Sequence, residues 1–465
     1  MYKRLRQSLA VNVQQLQRKG SFAQNLAITF SGTATIAVIG FAVSPIMTRL
    51  YEPQSYGLFA VFSAIVSNVS LFSALGYAPA ILVPRQQKKF LALVQLTILL
   101  SLATLLLLLL VFWLFHDPLL HSLKAEALDI WFYVIPFAVF IFNLNVIMSA
   151  WYLRAKAFKK RVGIEVVSTV AGRSLTLGMG WIGYVSVGGL LLGDLLAKTT
   201  MFFSMLFSGF HQHSSKLWFR FSWARIRSVA WEYREYPFYV MPTAYLNTLA
   251  GQVPIFLLST GFGVSTVGLY AFSTSLLELP INLLGNAVAP LFLQKAIETQ
   301  QQEPERLKQI CLDLYNKLFY LGLLPFGIIT IFGDWIFSFV FGSRWAQAGL
   351  FTSYLGYYYM FKLASYAANP LYTVLHRQRT ALLGTVLLVL TRTGSLLLGL
   401  SLQSLKIGML LFGMSSLVVT FLVDMNILYL LHVQVLRLAI RSLLLMALTT
   451  VVLWCLRAGF ETLFV

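Results

Sequence analysis

Apolar runs of about 20 residues, broken by short polar connections, repeat along the whole chain. A helix of that length crosses about 30 Å of hydrocarbon. It also satisfies its own backbone hydrogen bonds, which lipid cannot do. The runs predict spanning helices near 26–48, 57–84, 91–115, 130–151, 162–184, 187–208, 238–260, 266–292, 314–333, 350–372, 380–401, 406–431 and 438–457. The alternating apolar and polar pattern of a membrane barrel is absent. Pro280, Pro290, Pro325 and Pro370 fall inside or at the ends of runs, where each frees a carbonyl and permits a kink.

The pattern also repeats. Residues 44–63 end the first run, turn at Pro53-Gln54-Ser55 and open the second. Gly57-Leu58-Phe59-Ala60 recurs as Gly268-Leu269-Tyr270-Ala271, and Ala78-Pro79 recurs as Ala289-Pro290, both at an offset of 211. A shared offset marks an internal repeat in one orientation. The expected architecture is all-α and polytopic: two pseudo-symmetric six-helix bundles plus one extra C-terminal transmembrane helix. Its segments are a cytoplasmic amphipathic N-terminus (1–25), bundles at 26–208 and 237–432, a basic cytoplasmic linker (209–236) and the extra helix (433–465).

Composition agrees with a membrane protein: 58% of the 465 residues are hydrophobic and 11% charged, against roughly 25% charged in soluble domains. The net charge of +19 is explained by topology rather than nucleic acid. The N-terminus and the even-numbered connections hold 26 Lys and Arg; the opposite side holds five, Arg49, Lys124, Arg344, Lys406 and Arg457. The positive-inside rule then places the N-terminus in the cytoplasm. Leu5, Leu9, Val13 and Leu16 fall on one helical face of a basic segment suited to the inner leaflet. That segment is too polar for a cleavable signal. The linker interleaves Trp218, Phe219, Phe221, Trp223 and Trp231 with Arg220, Arg225, Arg227 and Arg234, the chemistry of a lipid headgroup interface. His211 and His213 read as solvated. Cys311 and Cys455 stand far apart and form neither a disulfide framework nor a thiolate site. No metal or other cofactor is expected. The outer loops are short and lack a carboxylate pair or nucleophile motif, which disfavours an enzyme.

Four cations fall inside spans, Arg173, Lys198, Lys362 and Arg392, with three acids, Asp194, Glu278 and Asp424. A charge at mid-bilayer costs roughly 2.5–3.5 kcal/mol on insertion scales, so these side chains must face a cavity or one another. Arg173 and Lys198 come to similar depth on adjacent antiparallel helices, at 1.5 Å per residue. Asp194 lies one turn from Lys198 on the same face. Asp424 lies in the inner third, within reach of a loop cation. Two outcomes stay open: ion pairs locking helices, or cations that take an anionic guest, with Arg the better partner for phosphate. Arg49 is either a cavity cation or a headgroup anchor. Asp194, Glu278 and Asp424 are candidates for ion coupling.

Pro45-Ile-Met-Thr-Arg49-Leu-Tyr51-Glu-Pro53, with Tyr56-Gly57, Ala78-Pro79 and Arg85, resembles the start of bacterial O-antigen and polysaccharide flippases of the Wzx type. These belong to the multidrug/oligosaccharidyl-lipid/polysaccharide exporter superfamily. Gly342-Ser-Arg-Trp345-Ala-Gln-Ala-Gly349 is similar to a second family segment. The resemblance implies a MATE-like, V-shaped pair of bundles in the inner membrane. It also implies alternating access and an undecaprenyl-pyrophosphate-linked oligosaccharide as substrate, serving lipopolysaccharide or another surface polysaccharide. Membrane lipids, a polysaccharide polymerase and glycosyltransferases are the implied partners. A thirteenth span departs from the even number usual in that superfamily. Two alternatives are an ion-coupled drug antiporter and a membrane glycosyltransferase or polymerase. The first would prefer acids in its cavity, and here cations outnumber acids four to three.

The loop charges make a topology prediction. After Cys311 and Cys455 are replaced, cysteines at Phe158 and Ser222 should be shielded from an impermeant outside reagent. Cysteines at Ser122 and Ala346 should react. Labelling of Phe158→Cys from outside would reverse the orientation.

Overall fold

The computed structural model describes residues 22–123, 126–210 and 221–464. These are helical almost throughout, with no strand among them. The helices are α1 (Phe22–Leu50), α2 (Pro53–Ser73), α3 (Gln87–Leu123), α4 (Ile135–Arg154), α5 (Phe158–Trp181), α6 (Val187–Met205) and α7 (Trp223–Glu232). They continue as α8 (Met241–Phe262), α9 (Val264–Gln302), α10 (Pro304–Phe341), α11 (Ala346–Val374), α12 (Gln378–Ser401), α13 (Leu405–Leu430) and α14 (Val435–Phe464). Every expected span overlaps one of them, although the span expected at 57–84 is helical only to Ser73, where a turn and a short 3-10 segment, Pro79–Leu82, replace its end; α7 is the short additional helix. Leu5, Leu9, Val13, Leu16, Lys124, His211, His213, Trp218, Phe219 and Arg220 lie outside the described residues.

Ten of the helices are long and apolar enough to cross a membrane. The expected spans at α5, α8 and α11 are long enough but more polar. α5 carries Lys159, Lys160, Arg161 and Arg173; α8 carries Asn247 and Gln252; α11 carries Gln347, Lys362 and Asn369. α11 is enclosed by α9, α10 and α13 and has 17 buried residues, so little of it needs a lipid-compatible surface.

Some boundaries differ from the sequence pattern. Pro53 is the first residue of α2, not part of the turn, because its fixed φ suits a helix start and its missing N–H costs nothing there. The expected connection 295–317 is helical except at Glu303, with Pro304 starting α10. α3 continues to Leu123 across a break at Phe115, three residues before Pro118.

The chain divides into two compact units, residues Met1–Thr260 and Gly261–Val465. In the first, α2 packs against α3, α4 and α6, α4 against α3, α5 and α6, and α5 against α6. In the second, α9 packs against α10 and α11, α11 against α10, α12 and α13, and α12 against α13. Apart from the α2–α6 contact and the packing of α1 on α5, this is the same set of neighbours shifted by seven helices. Gly57 and Gly268 are both the fifth residue of their helices, α2 and α9, and both are buried. The copies part company at the prolines. Leu75 and Gly76 adopt positive φ and end α2 before Pro79, whereas Pro290 lies within the continuous α9.

Glycines set the helix spacing. Gly172 on α5 abuts Gly193 on α6, and in the equivalent pair Gly399 on α12 abuts Gly408 on α13. On α10 and α11, Gly333 abuts Gly349. Small residues let backbones meet where lipid supplies no hydrophobic drive for helix association. The conspicuous sequence segments are these junctions. Tyr51 is 1% exposed, donates a hydrogen bond to the Thr176 carbonyl at 2.7 Å, and fits against Gly180 and Gly189. Gly342 breaks α10 at φ +101°, a left-handed conformation that favours glycine. Trp345 then turns inward, fully buried, its ring 4.6 Å from Phe272.

The linker helix α7 lies against α3. Ile226 and Val229 are buried while Trp223 and Trp231 are exposed, with Arg234 stacked 4.3 Å from the Trp231 ring. Lys89 pairs with Glu232 at 2.6 Å. The extra helix α14 packs on α10 and α13 and is clamped by Arg457, which bonds both oxygens of Asp334 at 3.0 and 2.8 Å.

A side chain at Gly349 would press on the Gly333 backbone, which cannot rotate away. Gly349→Val should therefore cost about 1–3 kcal/mol or more and lower the thermal midpoint of purified protein by several degrees. Gly178→Ala, with nothing near its added methyl, should be neutral or slightly stabilising. Equal behaviour of the two variants would refute the close-approach explanation.

Candidate functional site

Each unit holds a cavity among its helices, mainly apolar but with charged and polar side chains in its lining. In the first unit, α2, α4, α5, α6 and α8 surround about 840 Å³. Two ion pairs edge it. Arg161 meets Glu165 at 2.7 Å along α5, and Lys198, which lines the cavity, meets Asp194 at 2.6 Å along α6. Both are i, i+4 pairs, so helix geometry alone brings the partners to one face. Between them stand carboxamides and hydroxyls with unmet hydrogen-bonding capacity. Asn143 and Asn145 on α4 are 3% and 6% exposed; the Nδ2 of Asn143 and the Oδ1 of Asn145 have no partner. Gln252 Oε1 on α8 and Ser70 Oγ on α2 are likewise buried without a partner. Asn145 is held in place by donating its Nδ2 to the Lys198 carbonyl at 2.9 Å.

Burying such groups unpaired is costly. Here all four residues line the same cavity. Most of the remaining lining is aliphatic, including Leu71, Leu82, Val146 and Leu153.

Arg173 lies elsewhere in this unit. It is exposed on α5, with Nη1 3.5 Å from the Met47 sulfur and no carboxylate partner among the described residues. Arg49, in the last turn of α1, is exposed and also lacks one. Neither lines the 840 Å³ cavity.

The second unit has a smaller cavity, about 340 Å³, among α11, α12 and α13. Lys362 lines it and pairs with Glu278 of α9 at 3.1 Å, lying 5.0 Å from the Tyr359 ring. The Tyr359 hydroxyl donates to the same Glu278 oxygen at 3.4 Å. Arg392 stands behind the wall. Its guanidinium stacks 4.7 Å from Tyr358 and 5.2 Å from Phe412, and its Nε donates to Ser416 Oγ at 2.8 Å. Asp424 is 1% exposed; one oxygen accepts from Ser365 at 2.7 Å and the other has no partner. The cation expected beside Asp424 is not there: its only described partner is a hydroxyl.

Four of the seven embedded charges thus form two carboxylate–ammonium pairs, and Arg392 is stabilised by aromatic faces. Sequence reasoning assigned Arg161 to a loop, although Glu165 four residues later was a visible signal. The Asn143-x-Asn145 repeat inside an apolar run was another. Arg457 was counted as an outer-side cation, and its partner Asp334 is 123 residues away. Among the described residues no three His, Cys, Asp or Glu side chains converge as metal ligands.

Comparison with known proteins adds family and fold. A family model described as polysaccharide biosynthesis protein matches residues 46–349. The succinoglycan biosynthesis transport protein ExoT of Rhizobium meliloti (strain 1021) is 21% identical over 312 residues, 66% of this chain. The chain spans 60% of that relative's length. An inward-facing multidrug resistance MATE family transporter of the MOP superfamily superposes with a TM-score of 0.62 at 15% identity, over 91% of this chain and 98% of that one. The lipid II flippase MurJ, inward closed, superposes at 0.63 and 12% identity, over 94% and 99%. These two likenesses establish the fold.

The cavity-edge pair Arg161–Glu165 offers a test. Glu165→Gln strands a half-buried guanidinium and should lower stability by about 1–2 kcal/mol. Adding Arg161→Gln should recover part of the loss. A double variant no better than the single in thermal unfolding would mean that the pair is not coupled.

Proposed function

The chain belongs to the polysaccharide biosynthesis protein family, and from that premise we propose that it is a flippase for a lipid-linked oligosaccharide. Its cargo is an undecaprenyl-pyrophosphate-borne repeat unit of O-antigen or another surface polysaccharide. The cargo moves from the cytoplasmic to the periplasmic leaflet of the bacterial inner membrane as the protein exposes its polar interior to each side in turn. The observation that carries this is the 840 Å³ cavity, lined inside a membrane-spanning unit by Asn143, Asn145, Gln252 and Ser70, each with one polar atom that has no partner. Carboxamides that both donate and accept suit sugar hydroxyls, and aliphatic walls suit the faces of sugar rings. The relative named for succinoglycan transport and the fold shared with a lipid II flippase support the same cargo class.

The pyrophosphate needs cations that are not already neutralised. Arg173 and Arg49 meet that condition best, with Lys198, Lys362 and Arg392 able to join if their partners rearrange. Asp194 and Glu278 hold cations in the present state. Asp424, with one oxygen unpartnered, is the strongest of the three acids to take a coupling ion. A polymerase and glycosyltransferases would act on the same lipid-linked intermediate before and after translocation.

Arg173→Ala should reduce glycan export at least tenfold in an export-deficient strain while the protein stays inserted at normal abundance, and Arg173→Lys should retain part of it. Full export by Arg173→Ala would remove the residue from the proposal.

A further inference from the structure

From the geometry of α10 and α14 we infer a second binding site, distinct from both cavities: a pocket for the phosphate headgroup of an anionic membrane phospholipid. The pocket, about 290 Å³, lies where the first turns of α14 and the turn before it meet α10. Lys308, Arg437 and Arg441 converge on it, with Asn316 and Gln434, and none of its lining residues is acidic. Two of the cations are oriented by neutral groups. Lys308 donates to the His432 carbonyl at 2.5 Å, and Arg441 donates to the Asn316 side chain while lying 6.0 Å from the Tyr320 ring. Arg437 is exposed and has no partner among the described residues. Three positive charges therefore share one small space without a counter-charge, which is unfavourable unless an anion enters.

The surroundings identify the anion as a lipid. On α14, Leu436, Ile440, Leu444 and Leu448 recur every fourth residue and are 75%, 51%, 64% and 60% exposed. This apolar stripe starts beside Arg437 and Arg441 and runs away along the helix. On α10, Tyr320, Leu321 and Leu324 are exposed as well. A soluble phosphate would use the cations alone. A phospholipid would also lay its acyl chains along these faces, with Tyr320 at the headgroup level, where tyrosine is enriched. Basic pockets between transmembrane helices hold acidic headgroups in this way. On the orientation expected from the loop charges, this is the cytoplasmic leaflet. The extra helix α14 packs on α10 as α7 packs on α3, and its end completes the pocket. This inference uses only the membrane-spanning fold and is independent of the transported cargo.

The test is lipid retention and thermal unfolding of the purified full-length chain. Protein in phosphatidylcholine nanodiscs is compared with protein in discs containing cardiolipin, and with phosphatidylcholine discs in added inorganic phosphate. Cardiolipin should raise the unfolding midpoint and remain bound to the released protein in native mass spectrometry. Lys308→Gln, Arg437→Gln and Arg441→Gln should each weaken retention about fivefold, and the triple variant should abolish it. If the triple variant does not fold, Arg437→Gln alone decides, because its side chain makes no described contact. Unchanged cardiolipin retention in Arg437→Gln overturns the site. Equal protection by inorganic phosphate overturns the assignment to a lipid.

Discussion

Hydrocarbon offers no hydrogen-bond partner, and most of this structure follows from that. The backbone closes on itself in helices. Hydroxyls return to carbonyls one turn back on their own helix, as Thr97 does to Leu93 and Thr176 to Gly172. Ser273 does more: it bonds its own turn at Leu269 and also reaches the Ala348 carbonyl, tying α9 to α11. Charges meet a stronger form of the same constraint, and Lys198, Lys362, Arg392 and Arg457 are met by carboxylates, aromatic faces or hydroxyls.

Once polar groups are satisfied locally, helices associate through shape. Glycine contacts at Gly172–Gly193, Gly399–Gly408 and Gly333–Gly349 bring backbones together. The first two occupy equivalent places in the repeated neighbour pattern, so the same solution serves both copies. Tyr51 and Trp345 act differently, as large side chains inserted from a chain reversal into a bundle. A reversal anchored in this way fixes the relative height of the helices it joins. That explains why the two conspicuous sequence segments coincide with structural junctions and contribute few groups to the cavities.

The constraint is left unmet at several buried atoms, and the cavity linings hold some of them. Asn143, Asn145, Gln252 and Asp424 retain unpaired atoms in buried positions, although nearby serines and threonines show how easily a helix satisfies a hydroxyl. A carboxamide or carboxylate carries more hydrogen-bonding capacity than a hydroxyl, so one local bond leaves the rest open, as at Asn68, whose Nδ2 bonds Ala64 while its Oδ1 has no partner. The paired charges beside the cavities keep the electrostatic cost low in the absence of a guest.

Sequence alone determined the helical class, the approximate positions of the long helices and which charges share a helix face. These are properties of a single helix: apolar length and i, i+4 spacing. The pair Asp194–Lys198 was legible for that reason. Helix ends were less so, because Pro53 and Pro304 start helices while Pro290 lies inside one, and local pattern does not separate the cases. Tertiary structure decided which helix faces which. Glu278 meets Lys362 across 84 residues and Arg457 meets Asp334 across 123. Asp424 finds a serine instead of a cation, and Arg161 lines a cavity instead of lying in a loop. Those outcomes depend on the rotation of each helix about its own axis. That rotation is set by packing against partners distant in sequence, and a one-dimensional pattern of polarity does not contain it.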